Sequence, residues 1–295
     1  MLANTFRHIP KIGPATEWKL WEAGALSWYE ALEFAPEALP FKGPLTDHLH
    51  ESIDRLADGD AEWFTARLPA LEYWRLFPEF RDSTAYVDIE TDGGSAEGGG
   101  FITTISLWDG KNLKYYVHGE NLRDFQDDIL DYKLLVTYNG VVFDVPFIEH
   151  WFRMKMSGAH VDLRYVLAGL GYRGGLKGCE RQLGIDRGDL DGVDGYFAVL
   201  LWREYINEGN PAALETLLAY NALDVINLER LMVVAYNKKI EETPFALVNE
   251  LVLPEPPDTL PFEPDRETIE KIRRKIRGRG EYLRGVARYI LGRDE

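Results

Sequence analysis

Residues 86–94 read YVDIETDGG and place two acidic residues, Asp88 and Glu90, inside an otherwise apolar stretch. β-Branched and aromatic residues followed by a glycine-rich connection predict a strand that ends close to Glu90. Alternate side chains of a strand point to opposite faces, so Asp88 and Glu90 share one face, and Val87 and Ile89 share the other. A buried carboxylate is costly unless it is paired or binds a metal. The stretch is therefore either a strand end that reaches solvent or half of a metal site.

The sequence between residues 81 and 240 alternates strand-like and helix-like patterns. Further strands are predicted at FITTISLWD (101–109), NLKYYVHG (112–119), KLLVTYN (133–139) and the start of AHVDLRYVL (159–167). Helical spacing is predicted for DVPFIEHWFRMK (144–155) and, over the longest stretch, for residues 211–235. This order indicates an α/β fold in which a mixed sheet carries helices on its faces.

The second acidic segment is YNGVVFDVPFI (138–148), in which a strand is predicted to end at Tyr138 and the chain to turn at Asn139. Asp144 then falls at the start of the next helix, beside the aromatic Phe143. Sheets of α/β proteins place ligands at the ends of their central strands. The position of Asp144 therefore makes it a candidate partner of the two strand carboxylates.

The third segment, AYNALDVINL (219–228), lies in the longest helical pattern, with Asn210 as the predicted N-cap and Pro211 at the first position. Tyr220 and Asp224 are four residues apart and share one face of that helix. Taken alone, an Asp-x-Glu on a strand or a Tyr–Asp pair on a helix is usually incidental. All three segments, in this order and in elements of the right type, favour a functional site.

The segments VDIET, YNGVVFD and YNALD resemble the three exonuclease motifs of the DEDDy class of 3′–5′ exonucleases. That class has a ribonuclease-H-like fold and is related to the proofreading domains of family B DNA polymerases. The resemblance covers about residues 84–236 and implies a mixed five-stranded sheet flanked by helices. Within that class the chain most resembles the YprB-like exonucleases. Two segments between the second and third motifs carry this resemblance: GGLKGCERQLGI (174–185) and GVDGYFAVLLWREY (192–205).

The resemblance also implies roles for individual residues. The four carboxylates would bind two divalent cations, Mg²⁺ or Mn²⁺, which hard carboxylate oxygens suit; they are Asp88, Glu90, Asp144 and Asp224. Tyr220 would orient the attacking water, because a hydroxyl with a pKa of about 10 is a poor base at neutral pH. Asn139 and Phe143 would contact the terminal nucleotide or support the second motif. Asp162 either shapes the site or only ends a strand.

Composition and pattern divide the chain into residues 1–80, 81–240 and 241–295. The first region looks helical, and IPKIGPATEWKLWEAG (9–24) resembles a helix–hairpin–helix element, in which backbone N–H groups hold a phosphate. Lys11 stands where such an element usually has its first glycine, so a helical pair that packs on the nuclease core is the alternative. The last region is predicted to be a proline-rich linker followed by a basic helical tail.

The formal charge of −16 argues against a polyanionic partner, but the charge is unevenly placed. Residues 271–293 are strongly basic, and Arg273, Arg274 and Arg277 are candidates to grip the backbone of a nucleic acid. The same arginines could instead pack against the acidic body or lie on a solvated face. The sequence leaves these alternatives open.

The sequence has no apolar run of the roughly 20 residues that a membrane span needs, and Cys179 is its single cysteine. We therefore expect a cytoplasmic protein with no membrane partner. The expected activity is two-metal-dependent 3′–5′ exonuclease hydrolysis at free 3′ ends of DNA or RNA. The alternatives are a catalytically idle nucleic-acid-binding module on the same fold and a structure-dependent endonuclease.

Overall fold

The computed structural model describes residues 1–33, 45–156, 158–257 and 259–291, with side chains up to residue 278. The described residues form one mixed sheet of five strands: β1 (Thr84–Thr91), β2 (Ile102–Trp108), β3 (Leu113–Val117), β4 (Leu134–Thr137) and β5 (His160–Asp162). The strands lie in the order β3-β2-β1-β4-β5. β2 is antiparallel to both β1 and β3, whereas β4 is parallel to β1 and β5 is parallel to β4. The predicted α/β fold is confirmed.

Helices precede, interrupt and follow this sheet. They are α1 (Pro14–Glu22), α2 (Trp28–Glu33), α3 (Leu45–Ala57), α4 (Ala61–Thr65), α5 (Phe77–Phe80), α6 (Phe125–Asp128), α7 (Asp144–Phe152), α8 (Leu163–Gly169), α9 (Gly175–Gln182), α10 (Gly195–Glu208), α11 (Pro211–Ile240) and α12 (Arg266–Leu291). In the part of the chain that the structure describes, none of these helices has both the length and the apolar character that crossing a membrane requires. The cytoplasmic localisation stays a prediction.

The two faces of β1 have different neighbours, as the alternation of its residues predicts. Val87 and Ile89 are buried in one hydrophobic cluster with Phe147 and Ile148 of α7. The carboxylate-bearing face lies toward α11, whose Asn221 reaches β1 through hydrogen bonds. The apolar face therefore anchors the strand and leaves the acidic face for the site.

The parallel pairing of β1 with β4 brings the ends of these strands together. Tyr86 pairs with Val136, so the chain leaves β4 next to the acidic half of β1. The turn that follows has Asn139 at φ 69°, and a side chain at Gly140 would put its Cβ 2.2 Å from the Thr137 hydroxyl oxygen. This tight turn returns the chain to the sheet, and α7 then begins at Asp144 as the sequence predicts.

The long helix α11 begins where its capping residues predict. The Asn210 side chain accepts a hydrogen bond from the Ala212 N–H at 3.2 Å, and Pro211 occupies the first position. The helix continues to Ile240, beyond the predicted end near residue 235. Tyr236 and Ile240 are buried in the hydrophobic core, so packing extends the helix past the apolar pattern of residues 211–235.

The N-terminal region is helical, as predicted, and packs against α11. Trp28, Phe64 and Phe77 belong to the same hydrophobic cluster as Tyr236. At the hairpin, Lys11 has φ 71°, the left-handed conformation that glycine adopts most easily. Among the described residues before α1, the helical structure is the single 3₁₀ turn Leu2–Asn4. The division of the chain into 1–80, 81–240 and 241–295 stays a prediction, as does the helix–hairpin–helix assignment.

The proline-rich segment 253–265 contains neither helix nor strand in its described residues, as predicted for a linker. The basic helix α12 follows it and packs on α10 and α11 through the buried Ile269 and Ile272. Lys271 and Lys275 both donate to the carboxylate of Glu204 on α10, Lys275 at 2.7 Å. Part of the basic tail therefore pairs with the acidic body.

Candidate active site

Three carboxylates from two elements meet above the centre of the sheet. One oxygen each from Asp88, Glu90 and Asp224 lie within 4.8 Å of one another. Asp88 is half-buried, whereas Glu90 and Asp224 are buried. Strand β1 contributes two of these groups because of its alternation, and α11 contributes the third from the opposite wall. The convergence that the sequence predicts for these three residues is present.

Asp144, the fourth predicted carboxylate, lies beside this group. It is buried at the start of α7, and its Oδ1 accepts a hydrogen bond from the Ile89 N–H at 3.1 Å. The bond joins Asp144 to the strand midway between Asp88 and Glu90. Within the described residues, Asp144 is not part of the group whose oxygens meet within 4.8 Å. One of its oxygens is thus committed to the backbone.

Burial and crowding make Asp88, Glu90 and Asp144 hard to ionise. Burial, and after it the neighbouring Asp224 and Asp144, raise the pKa of Asp88 well above its usual value. Burial and Asp224 raise the pKa of Glu90 well above its usual value in the same way. Burial raises the pKa of Asp144 to about 7. A cluster of hard oxygens that repel one another is a donor set that fits divalent Mg²⁺ or Mn²⁺, because a cation offsets the repulsion.

Tyr220 lies one helical turn before Asp224 and has a cationic neighbour. Lys177 of α9 donates to the Tyr220 hydroxyl at 2.5 Å, and its ammonium nitrogen is 4.4 Å from the ring centroid. Burial, and then the negative charge of Asp224, raise the pKa of Tyr220 well above its usual value. Burial lowers the pKa of Lys177. The hydroxyl therefore stays protonated at neutral pH and keeps a proton to donate.

Two of the clustered carboxylates each have one oxygen held by a side-chain donor. Asn221 donates from Nδ2 to Asp88 Oδ2 at 2.6 Å, and Arg187 donates from Nη2 to Asp224 Oδ1 at 2.5 Å. Asn221 is itself held, because its Oδ1 accepts from the Thr104 hydroxyl at 3.2 Å. These contacts fix the carboxylates in orientations that direct them toward each other.

The turn after β4 forms one rim of the site, and Asp162 holds it in place. Asp162 accepts from the Asn139 N–H at 2.7 Å and from the Val141 N–H at 3.1 Å, and its Oδ1 also accepts from the Arg164 N–H at 3.0 Å. All of these bonds are to backbone donors, so Asp162 shapes the loop. The Asn139 side chain accepts a hydrogen bond from the Arg164 guanidinium. On the same turn, the Phe143 side chain is 41% exposed.

The carboxylates form the floor of a cleft of about 900 Å³. Its lining includes two sets of side chains that suit a nucleic acid: the aromatic residues Phe143, Tyr172 and Tyr196, and the basic residues Arg164, Arg173 and Lys177. The lining does not include Arg273, Arg274 or Arg277. Arg273 instead donates to the Asp191 carbonyl at 2.8 Å. A contact between these tail arginines and a substrate stays a prediction.

Comparison with known proteins now identifies the family. Residues 85–236 match the family described as the RNase H superfamily, which is more than half of the 295-residue chain. The chain belongs to the RNase H superfamily. Membership indicates a nuclease, with nucleic acid as the substrate class. The DEDDy class, the YprB-like family and the exonuclease direction stay predictions.

The chain was also compared with curated proteins and with solved structures. No curated protein matches the chain. Among solved structures, it is similar to the family B DNA polymerase from the hyperthermophilic archaeon Pyrobaculum calidifontis, with 17% sequence identity and a TM-score of 0.40. The match covers 54% of this chain and 24% of the polymerase chain, so it spans about a quarter of that protein.

Sequence patterns did not point to every residue that shapes this RNase H site. Lys177, Arg187 and Asn221 contact the predicted residues but were not predicted themselves. Asn221 lies between Tyr220 and Asp224 in the segment YNALD, so its presence in that motif was a usable signal. Lys177 lies within the segment 174–185 that carries part of the family resemblance. Its distance along the chain from the predicted site residues gives no indication that it contacts Tyr220. Arg187 has no local signal, because its partner is 37 positions away.

Proposed function

We propose that this RNase H superfamily protein is a two-metal-dependent 3′–5′ exonuclease of the DEDDy type that shortens DNA or RNA from a free 3′ end. The observation that carries the proposal is the meeting of three carboxylates on the floor of an open cleft, with Tyr220 one helical turn from Asp224. Membership of the superfamily supports cleavage of nucleic acid as the class of reaction. The direction and the number of cations come from the motif resemblance.

The acidic residues Asp88, Glu90, Asp144 and Asp224 would hold the two cations. When bound, divalent cations lower the pKa of a water and stabilise the charge that develops on the leaving oxygen. Tyr220 would orient the attacking water by donating a hydrogen bond to it, because its raised pKa keeps the hydroxyl protonated. Lys177 donates to the Tyr220 oxygen, which leaves the phenolic proton free to point away toward the cleft.

The rim of the cleft provides contacts for a single strand. Phe143 is exposed beside the carboxylates, and an exposed ring can stack on any base. Arg164 and Arg173 line the same cleft and can pair with backbone phosphates. These contacts are independent of base identity, which supports a substrate defined by its end and not by its sequence.

The test is incubation of the protein with 5′-labelled single strands of DNA and of RNA, with Mn²⁺, Mg²⁺ or EDTA. The proposal predicts a ladder that shortens from the 3′ end, requires a divalent cation and is absent for Asp88→Asn. A matched closed circle separates the alternatives. Cleavage of the circle would indicate an endonuclease, and binding of either strand without cleavage would indicate an idle binding module.

A further inference from the structure

A buried ion-pair network contacts Asp224, and its members Arg187 and Glu180 do not line the cleft. Arg187 donates from Nη1 to both oxygens of Glu180, at 2.8 and 2.9 Å, and from Nη2 to Asp224 Oδ1 at 2.5 Å. Asn227, one turn after Asp224 on α11, donates from Nδ2 to Glu180 Oε1 at 2.7 Å. The side chains of Arg187 and Glu180 are 4% and 0% exposed.

A lone arginine in this position would oppose cation binding. Its positive charge touches a carboxylate that is also proposed to bind a metal, in an environment where water screens little. Glu180 offsets that charge, so Arg187, Glu180 and Asp224 together carry one net negative charge. Asp224 therefore keeps its attraction for a cation while it also accepts a hydrogen bond.

The same contact selects which oxygen of Asp224 is available. Arg187 donates to Oδ1, so Oδ2 is the oxygen that keeps both lone pairs for a ligand. Asp224 is the group of the cluster that comes from α11, and Asp88 and Glu90 come from β1. The orientation of the Asp224 carboxylate thus decides whether the two walls can hold one cation between them.

We propose that Arg187, held in turn by Glu180, is a positioning residue that fixes Asp224 as a one-oxygen ligand and thereby sets the affinity of the site for divalent cations. The inference rests on the proposed metal-dependent function of this same cluster. Partners that orient a metal ligand typically change the affinity for the metal by about 10- to 100-fold when they are replaced.

The experiment measures Mn²⁺ binding by electron paramagnetic resonance and by calorimetry, without substrate. The main variant is the double substitution Arg187→Gln with Glu180→Gln, which removes one positive and one negative charge and leaves the net charge of the network unchanged. We expect its Kd for Mn²⁺ to rise by about 10-fold. A folded double variant that binds Mn²⁺ as tightly as the wild type would overturn the proposal.

A matched control is the buried pair of Arg75 and Glu17 in the N-terminal region, whose charged atoms are 3.3 Å apart. Arg75→Gln with Glu17→Gln removes a similar buried pair, and neither residue lines the cleft. It should lower the melting temperature and leave the Kd for Mn²⁺ unchanged. A purely structural role of Arg187 predicts the same behaviour for both double variants.

A milder variant keeps the test decisive if the double variant does not fold. Arg187→Lys retains the charge, but one ammonium cannot reproduce the fork that spans Glu180 and Asp224. We expect a rise in the Kd for Mn²⁺ that is smaller than that of the double variant, with the melting temperature preserved. A folded Arg187→Lys variant with unchanged Mn²⁺ affinity would contradict the inference. Failure of the wild-type protein to bind any Mn²⁺ would instead refute the proposed function itself.

Discussion

The two walls of the cleft hold their functional groups in different ways. On β1, Asp88 and Glu90 have no ion pair within 4.0 Å among the described residues, and the hydrogen-bond partner of Asp88 is the neutral amide of Asn221. On α11, Asp224 is paired with Arg187, and Tyr220 receives a hydrogen bond from Lys177. The carboxylates of the strand wall thus have no ion-pair partner among the described residues, whereas cationic side chains already orient Asp224 and Tyr220 on the helix wall.

This difference indicates a division of labour. Burial and mutual repulsion raise the pKa of Asp88 and of Glu90, so the strand wall gains most when a divalent cation arrives. Arg187 and Lys177 hold the helix wall in one arrangement before any cation binds. We infer that the strand wall contributes mainly charge and the helix wall mainly orientation. Substitutions on the two walls should therefore differ in their effects on stability and on activity.

The largest effect is expected from Asp88→Asn on the strand wall. Loss of a central metal ligand should lower Mn²⁺-dependent hydrolysis by at least about 10³-fold, since a cation contributes several kcal/mol to the reaction barrier. The same change should raise the melting temperature in EDTA, because it removes a crowded carboxylate. Glu97→Gln, in the exposed loop after β1, is the matched control and should change neither quantity. An active Asp88→Asn variant would contradict the assignment of the site.

Asp144 gives the next test, through the pH dependence of stability without metal. Its pKa is about 7 in the folded protein, so between about pH 4 and pH 7 the folded state holds a proton that the unfolded state has lost. Ionisation of Asp144 therefore destabilises the fold as pH rises through this window. His8 and His160, whose pKa values burial lowers to about 3 and about 4, act in the opposite direction. The measurement must therefore compare Asp144→Asn with the wild type.

We expect the two proteins to have similar melting temperatures in EDTA at pH 4. At pH 8, Asp144→Asn should melt about 5 °C or more above the wild type, because each pKa unit is worth about 1.4 kcal/mol. Added Mn²⁺ should remove or reverse this advantage. A difference in melting temperature that does not change between pH 4 and pH 8 would show that Asp144 ionises freely in the fold.

On the helix wall, Lys177 and Tyr220 should act as a unit. Lys177→Met and Tyr220→Phe should each lower kcat by about 10- to 100-fold, because a misplaced water reacts slowly. The double variant should be little slower than either single variant, since both changes remove the same contact. Lys114→Met is a suitable control, as Lys114 also lies over a tyrosine ring, at 5.9 Å from the Tyr132 centroid. Fully multiplicative losses would indicate that the two residues act separately.

A smaller effect is expected at the rim. Phe143→Ala should weaken binding of single-stranded DNA about 10-fold, in the range of one stacked base, while Mn²⁺ affinity stays unchanged. Fluorescence anisotropy with a labelled strand measures the first quantity. Leu130→Ala removes another exposed apolar side chain, 72% exposed and outside the cleft, and should leave binding unaltered. Equal binding by wild type and Phe143→Ala would exclude stacking on this ring.

The smallest effect is expected from the basic tail. Arg273→Ala with Arg274→Ala should change the Kd for a single strand less than about twofold, because these residues lie outside the cleft lining and surface charges are screened by salt. Arg164→Ala with Arg173→Ala, inside the lining, is the comparison pair and should weaken binding more. The reverse order, measured at one salt concentration, would restore the prediction that the tail grips nucleic acid.

The parts of the molecule that sequence patterns predicted are those encoded locally. The alternation in β1 fixes the common face of Asp88 and Glu90, and the cap at Asn210 fixes the start of α11. Tyr220 and Asp224 then share a face because of the helical repeat. These relations need only the geometry of a single strand or helix, so they are readable before the fold is known.

The residues that sequence patterns missed depend on packing between elements. Arg187 reaches Asp224 across 37 positions, and Lys177 reaches Tyr220 across 43. Nothing in the spacing around either cation indicates its partner, because α9 and the turn after it are placed by their packing against α8 and α11. The commitment of Asp144 Oδ1 to the Ile89 N–H is equally non-local. Periodicity identifies the carboxylates but not the donors that orient them.

The most direct test of the central claim is a crystal grown or soaked in Mn²⁺ and measured at a wavelength where manganese scatters anomalously. We predict anomalous density between the oxygens of Asp88, Glu90 and Asp224, which lie within 4.8 Å of one another, and loss of that density in Asp88→Asn crystals. An occupied manganese site elsewhere with none between these carboxylates would contradict a metal-dependent nuclease centred on this cleft.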